Sequence, residues 1–220
     1  MNIVKASAKL MNLETREEGI QLLRRIEYAA RVSHASESAQ TADSWERFIP
    51  AVVMGHGDWS VTEHASVSVD FVVDRAIQLE LVRHRLFSYT ASSTRFINYA
   101  KANQQEMSFI APTFKDGPTR SIWEVAVTNA EIAYKCLIGN GESPQVARSV
   151  LPNSLSSRII VTGNLRSFRH LFLMRTSKEA HPAMREVMIP LLEEFQSKIP
   201  LLFDDIEPNQ RQVDNLRKAR

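Results

Sequence analysis

Hydrophobic positions along the chain change period several times, and each change marks an element boundary. Thr15-x-x-Glu18 has the form of a capping box, and after it Ile20, Leu23, Ile26 and Ala30 recur at helical spacing. The spacing predicts a helix that ends within residues 28–33. Residues 36–43 are polar and loop-like. Trp45, Phe48, Ile49, Val52 and Val53 then predict a second amphipathic helix that tolerates Pro50 and stops at Gly55-His56-Gly57. Past Ser60-Val61-Thr62-Glu63-His64 the period shortens: Val67, Val69, Phe71 and Val73 alternate with Ser66, Ser68, Asp70 and Val72, the pattern of a strand. From Arg75 the helical period returns, with Ile77, Leu81 and Arg85 on one face and Glu80 and His84 on its neighbour.

Residues 103–118 are irregular, with Phe109-Ile110 as a short apolar anchor. Ile122, Ala126, Ala130, Ala133 and Leu137 then form the stripe of a long helix, flanked by Trp123, Val127 and Tyr134 and ended by Gly139-Asn140-Gly141. That stripe reads as core or as a subunit contact. Ser143-Pro144 opens a short helix over 145–151, and residues 159–162 form a short buried strand. Asn164 is the expected N-cap of a helix carrying Phe168, Leu171, Phe172 and Met174. His181-Pro182 starts a last helix that buries Met184, Val187, Met188, Leu191, Leu192 and Phe195. Asp204-Asp205 and residues 217–220 read as a charged, mobile tail.

Composition narrows the picture. A chain of 220 residues with 44% hydrophobic content suits one compact domain, expected over residues 1–220. A formal net charge of +2 argues for neither nucleic acid nor membrane, so any preference for anions is local. Met1-Asn2-Ile3-Val4-Lys5 lacks the apolar core of a signal peptide, and no run is long enough to cross a bilayer, so a cytoplasmic protein is expected. The single cysteine, Cys136, leaves no intramolecular disulfide framework and no cysteine-cluster metal site; between Tyr134 and Leu137 it reads as inert core packing.

Residues 83–99 carry the chemistry. Arg83-His84-Arg85 is followed by Ser88, Tyr89, Thr90, Ser92, Ser93 and Thr94, then Arg95, with Val82, Leu86, Phe87 and Phe96 as apolar walls. Guanidinium groups are permanently charged forks, and burying them costs several kcal/mol unless an anion or dense hydrogen bonding compensates. Arg83-His84-Arg85 alone also reads as a solvated helix end; the hydroxyls and Arg95 that follow point to a bound anion. The motif is expected at the end of the helix begun at Arg75, its serine-rich continuation as a loop that wraps a ligand. Glu63 and His64 either orient a ligand or cap the next element.

Arg83-His84-Arg85 followed by Ser93-Thr94-Arg95 and an aromatic residue resembles the signature of the flavin-dependent thymidylate synthases. Similar segments occur in matching order: Ala29-Ala30-Arg31-Val32-Ser33; His56-Gly57 with Ser60 and Glu63-His64; Val146-Ala147-Arg148-x-Val150-Leu151-Pro152; and Asn164-x-Arg166-Ser167 with the later Arg175. The likeness spans residues 29–181. It implies an α+β fold with a central, mostly antiparallel sheet flanked by long helices, assembled as a homotetramer. It also implies a reaction in which C5 of dUMP receives a methylene carbon from methylenetetrahydrofolate, reduced FAD supplies the hydride, NADPH recharges the flavin, and no protein nucleophile takes part.

The same resemblance assigns Glu80, Ser92, Ser93, Arg95, Arg148 and Arg175 to the nucleotide. Arg175 is the catalytic group, its charge stabilising negative charge on N3 and O4 of the uracil. Ser60, Arg83, His84, Arg85, Asn164, Arg166 and His170 are assigned to FAD. Arg148 is open to serving a neighbouring subunit's nucleotide. Departures exist: Thr90-Ala91-Ser92 stands where many members carry Gln-Glu or Asn-Glu, Asp58 where some have histidine, and Phe96 replaces the usual tyrosine. The missing carboxylate keeps two alternatives open: a C5 methylase or hydroxymethylase of another pyrimidine nucleotide, and a non-catalytic flavin- and nucleotide-binding homologue.

Overall fold

The computed structural model describes residues 1–101 and 106–208, which begin with strands β1 (Asn2–Ile3) and β2 (Ser7–Leu10) and helix α1 (Arg16–Val32). Part of the irregular stretch expected from residue 103, and the basic residues 217–220, lie outside the described residues. The capping box at the head of α1 is complete: the Thr15 hydroxyl accepts from the Glu18 amide at 3.3 Å, and the Glu18 carboxylate accepts from the Thr15 amide at 2.8 Å. Leu23, Ile26 and Ala30 turn inward, and so does Glu27. A short helix α2 (Trp45–Phe48) runs into a π-helical stretch, Ile49–Gly55, instead of continuing at α pitch. Pro50 has no N–H to give and its ring would strike the carbonyl four residues back. The wider turn avoids that, and the His56 amide bonds back to the Ala51 carbonyl at 3.1 Å.

After a 3-10 turn, Trp59–His64, come strand β3 (Ser66–Asp74), helix α3 (Arg75–Leu81) and strand β4 (Ser88–Ala91). Strand β5 (Ser108–Phe109), helices α4 (Gly117–Gly139) and α5 (Pro144–Ala147), strand β6 (Ser156–Asn164) and helices α6 (Leu165–Arg175) and α7 (Pro182–Lys198) complete the order. Both long strands pass directly into a helix through an Asx cap: Asp74 accepts from the Ile77 amide and Asn164 from the Ser167 amide, each at 2.8 Å. Four strands form an antiparallel sheet in the order β2-β3-β6-β4, while β1 and β5 pair in parallel with Asn2 opposite Ser108. The α+β expectation with a mostly antiparallel central sheet is met.

The contacts group into two units. The first comprises Met1–Ser7, Phe71–Arg83 and the described residues of Thr90–Ile160; its core gathers Tyr99, Met107, Phe109, Val127, Tyr134 and Leu155, with the Tyr99 and Tyr134 rings edge-on at 5.8 Å. The second comprises Ala8–Asp70, His84–Tyr89 and the described residues from Val161 on. Its core is aromatic: the Phe195 ring lies 5.1 Å from Phe168, 4.9 Å from Phe172 and 5.3 Å from Phe203. Gly19 lets α7 approach α1, since a Cβ there would stand 1.8 Å from the Lys198 carbonyl oxygen. Among the described residues no helix is long and apolar enough to cross a membrane.

Several expectations are corrected. The helix opened at Arg75 stops at Leu81, so Arg85 does not extend its face; from Ser92 on the serine-rich continuation is irregular, as a loop would be, but its first part, Ser88–Ala91, is strand β4. The sheet captures it because its backbone pairs at an edge; just past β4 the Ser92 amide donates to the Arg158 carbonyl at 2.8 Å. On α4 the inward residues are Val127, Glu131 and Tyr134, while Ile122 is 74% exposed. The expected stripe advanced by four residues at a time, and each such step drifts about 40° around the helix, so it starts outside and ends half-buried. Cys136 is exposed, not core. Met174 is exposed too, unlike Phe168, Leu171 and Phe172. Asp204-Asp205 belongs to no mobile tail: Leu202, Phe203 and Ile206 are buried, and Asp205 takes both terminal nitrogens of Arg169, whose guanidinium lies 4.2 Å above the Trp59 ring.

Candidate active site

In the second unit the site is built on the turn between α3 and β4 and on the C-terminal end of α6. Phe87 anchors that turn. Its ring packs edge-on against Phe168 at 4.9 Å and occupies the space left by Gly163, where a Cβ would stand 2.3 Å from the ring. Tyr89 ties the same turn from β4, its hydroxyl donating to the His84 carbonyl at 2.6 Å. Burial pushes the Tyr89 phenol up to about 12, so it stays a donor at any physiological pH.

Arg175, the last residue of α6, donates from Nε to Nε2 of His84 at 2.9 Å. The His170 ring, further up the same helix, approaches His84 edge-on at 6.2 Å. Burial first, then the Arg175 charge, then His170 hold the His84 imidazole down to about 4. Two residues chosen from separate parts of the sequence therefore meet in one cluster.

Other expected flavin residues stand more openly. Ser60 is exposed on the 3-10 turn, and Arg85 and His170 are exposed. Arg166 pairs with Glu63 at 2.5 Å, both about half exposed, so solvent screening keeps the pair weak and exchangeable. Glu63 is thereby a partner of α6 and caps nothing. Asn164 spends its side-chain oxygen on the cap of α6, which leaves its amide nitrogen as the group to offer. With Leu86 81% exposed and Leu173 and Met174 also open, the unit presents guanidinium, imidazole and hydroxyl donors beside apolar surface. That donor set fits a ligand carrying both a diphosphate and a flat ring.

The first unit holds Glu80, Arg83, Ser92, Ser93, Arg95 and Arg148. The Ser93 hydroxyl accepts from the Arg95 amide at 3.3 Å, Arg95 lies over the Phe96 ring at 5.4 Å, and Arg148 reaches the Thr94 hydroxyl at 3.4 Å. Arg95 on a tight turn and Arg148 reaching that turn from a separate helical segment, with the hydroxyls of Ser93 and Thr94 beside them, suit a phosphate monoester. Glu80 is half-buried on α3, and Arg83 is exposed just beyond it.

Arg31 is fixed by Glu27: Nε and Nη2 meet one carboxylate oxygen at 2.8 and 2.7 Å, with Glu27 fully buried. The spacing of four residues was the available signal for that pair. Concavity alone points elsewhere in the second unit, to hollows of about 550 Å³ beside Arg24 and Arg25 and about 590 Å³ beside Arg31 and Arg47. The Arg24 guanidinium is already committed to the Ala42 carbonyl and Arg31 to Glu27, whereas the His84 cluster has a strongly displaced titration; chemistry outweighs shape here. The parts played by Tyr89 and Glu27 were missed in the sequence, that of Tyr89 because its partner is a backbone carbonyl that no side-chain motif records.

A family model described as "Thymidylate synthase complementing protein" matches residues 20–201. A protein named flavin-dependent thymidylate synthase from Mycobacterium sp. (strain JLS) is 33% identical over 217 residues, covering 88% of this chain and 83% of its own. One of the same name from Pyrococcus furiosus is 32% identical over 195 residues, covering 84% and 77%. Another, from Corynebacterium efficiens, is 32% identical over 171 residues, covering 70% and 67%.

Proposed function

Because the chain belongs to the flavin-dependent thymidylate synthase family, we propose that it methylates C5 of dUMP to give dTMP, with methylenetetrahydrofolate as carbon donor and NADPH-reduced FAD as hydride donor. The observation that carries this reading is the contact of Arg175 with His84, which joins a residue assigned to the uracil with one assigned to the flavin although they lie far apart in the sequence. When bound, FAD supplies the hydride chemistry. The exposed guanidiniums of Arg85 and Arg166 and the Ser60 hydroxyl are suited to its diphosphate, with Arg83, Asn164 and His170 as further donors.

Arg95 and Arg148, with Ser92 and Ser93, hold the nucleotide phosphate, and Glu80 belongs to the same substrate set. Arg175 faces the pyrimidine. Negative charge on N3 and O4 of the uracil is what makes C5 nucleophilic toward the incoming carbon, and a fixed guanidinium stabilises that charge without itself forming a bond. No protein nucleophile is required, and the C5 hydrogen leaves as a proton. The proposal includes a homotetramer, supported by the exposed apolar residues Ile122, Val125 and Ile132 on α4, and a cytosolic setting suited to small phosphorylated substrates.

The test is release of tritium from C5-labelled dUMP by the purified protein with FAD, NADPH and methylenetetrahydrofolate, with the product identified. Release together with dTMP supports the proposal. A second reading, C5 methylation or hydroxymethylation of another pyrimidine nucleotide, is favoured by the exposed Ala91 at the end of β4, which offers a ligand no side-chain acceptor. Release only from such a nucleotide would favour it, and FAD binding without any release would indicate a non-catalytic homologue.

A further inference from the structure

The inference rests on the reading that Arg175 faces the pyrimidine. An arginine at a helix C-terminus has a long stem with many rotamers, so a role that depends on the plane of its guanidinium needs something to hold that plane. The bond from Arg175 Nε to His84 Nε2, 2.9 Å long, does so. A ring nitrogen that accepts carries no proton, so in this contact the imidazole is neutral with its proton on Nδ1.

The surroundings enforce that state. From α6, the Arg175 charge and His170 both disfavour a second proton on the ring, and burial disfavours it more. From β4, the Tyr89 hydroxyl holds the His84 carbonyl, and Phe87, locked between Gly163 and Phe168, holds the turn. We propose that His84 is the positioning residue for Arg175: a neutral imidazole, protonated on Nδ1, whose Nε2 fixes the guanidinium plane while its opposite edge offers a donor. His84 thereby acts on the pyrimidine chemistry through Arg175, a part distinct from any contact it makes with FAD.

Two measurements test this. In FAD-loaded protein labelled with ¹⁵N-histidine, the ring signals that vanish in His84→Gln report His84. The Nδ1–H tautomer is expected at pH 7, with the Nε2 signal displaced in Arg175→Lys. An imidazolium, an Nε2–H tautomer, or an Nε2 signal indifferent to Arg175→Lys overturns the proposal.

The second measurement is kinetic. His84→Leu has no acceptor, whereas His84→Gln restores an oxygen near the place of Nε2. The leucine variant is expected to lose about 100-fold in kcat with KM for the nucleotide within about threefold, and the glutamine variant to recover at least about tenfold of that loss. Equal losses in both variants, or losses that follow FAD content, overturn it. The spectroscopic measurement needs no turnover. A chain that left dUMP untouched would sink the functional proposal, while the tautomer would still decide the role of His84.

Discussion

His84 titrates as it does because of where the fold puts it. Its pKa is held at about 4 against an ordinary 6.5, chiefly by burial and then by Arg175. Between those values the unfolded chain binds a proton that the folded chain refuses, so stability falls as pH drops through the window and the loss is complete below about pH 4. Urea midpoints should therefore fall more steeply between pH 6.5 and 4 in the wild type than in His84→Gln. Equal slopes would show that the imidazole is not confined as described. At the neighbouring position, Arg175→Ala is expected to cut turnover by at least about 100-fold while FAD stays bound in full stoichiometry. Normal turnover in that variant would remove the guanidinium from the chemistry. Both residues were legible in the sequence as types in a motif, yet their bond was not, because it joins positions 91 apart.

Among elements, the joint between β6 and α6 does most to shape the site. Asn164 closes the strand and caps the helix, and Gly163 beside it makes room for Phe87, which seats the turn bearing His84. Gly163→Ala brings a methyl to 2.3 Å from that ring. Phe87 must then leave its contact with Phe168, at an expected cost of about 1–3 kcal/mol in chemical denaturation, with the His84 ring signals shifted as the turn moves. Unchanged stability and signals would mean the turn is seated by other contacts. The caps at Thr15, Asp74 and Asn164 obey rules confined to one helical turn, and those at Thr15 and Asn164 were read directly from sequence. Strand β4 was hidden because its hydroxyl-rich residues have no period of their own and become a strand only beside β6.

For the whole molecule, the informative surface is the outer face of α4. Ile122, Val125 and Ile132 are 74, 62 and 54% exposed, with the exposed Cys136 one turn beyond Ile132. A row of exposed apolar side chains on one long helix is a surface that burial against another copy would satisfy. With the tetramer proposed above, Ile132→Asp should leave the single chain folded, since the residue is more than half exposed, and should lower the mass found by light scattering from that of a tetramer to a smaller species. An unchanged mass would exclude this face from the assembly. The sequence offered core or subunit contact for this helix; Val127, Glu131 and Tyr134 taking the inward side removes the first for Ile122.

By itself, the sequence determined what depends on near neighbours and on side-chain chemistry: the helical and strand periods, the capping box, the arginine–histidine–hydroxyl motif and, through its ordered segments, the family. Tertiary structure alone decided which arc of α4 faces inward, that the chain through Phe203 and Ile206 is buried, that Pro50 is accommodated in a π turn, and that His84 meets Arg175. The reason is range. Caps and periods are set by interactions within a few residues, whereas burial, edge pairing and the bond that holds Arg175 exist only after distant segments have packed.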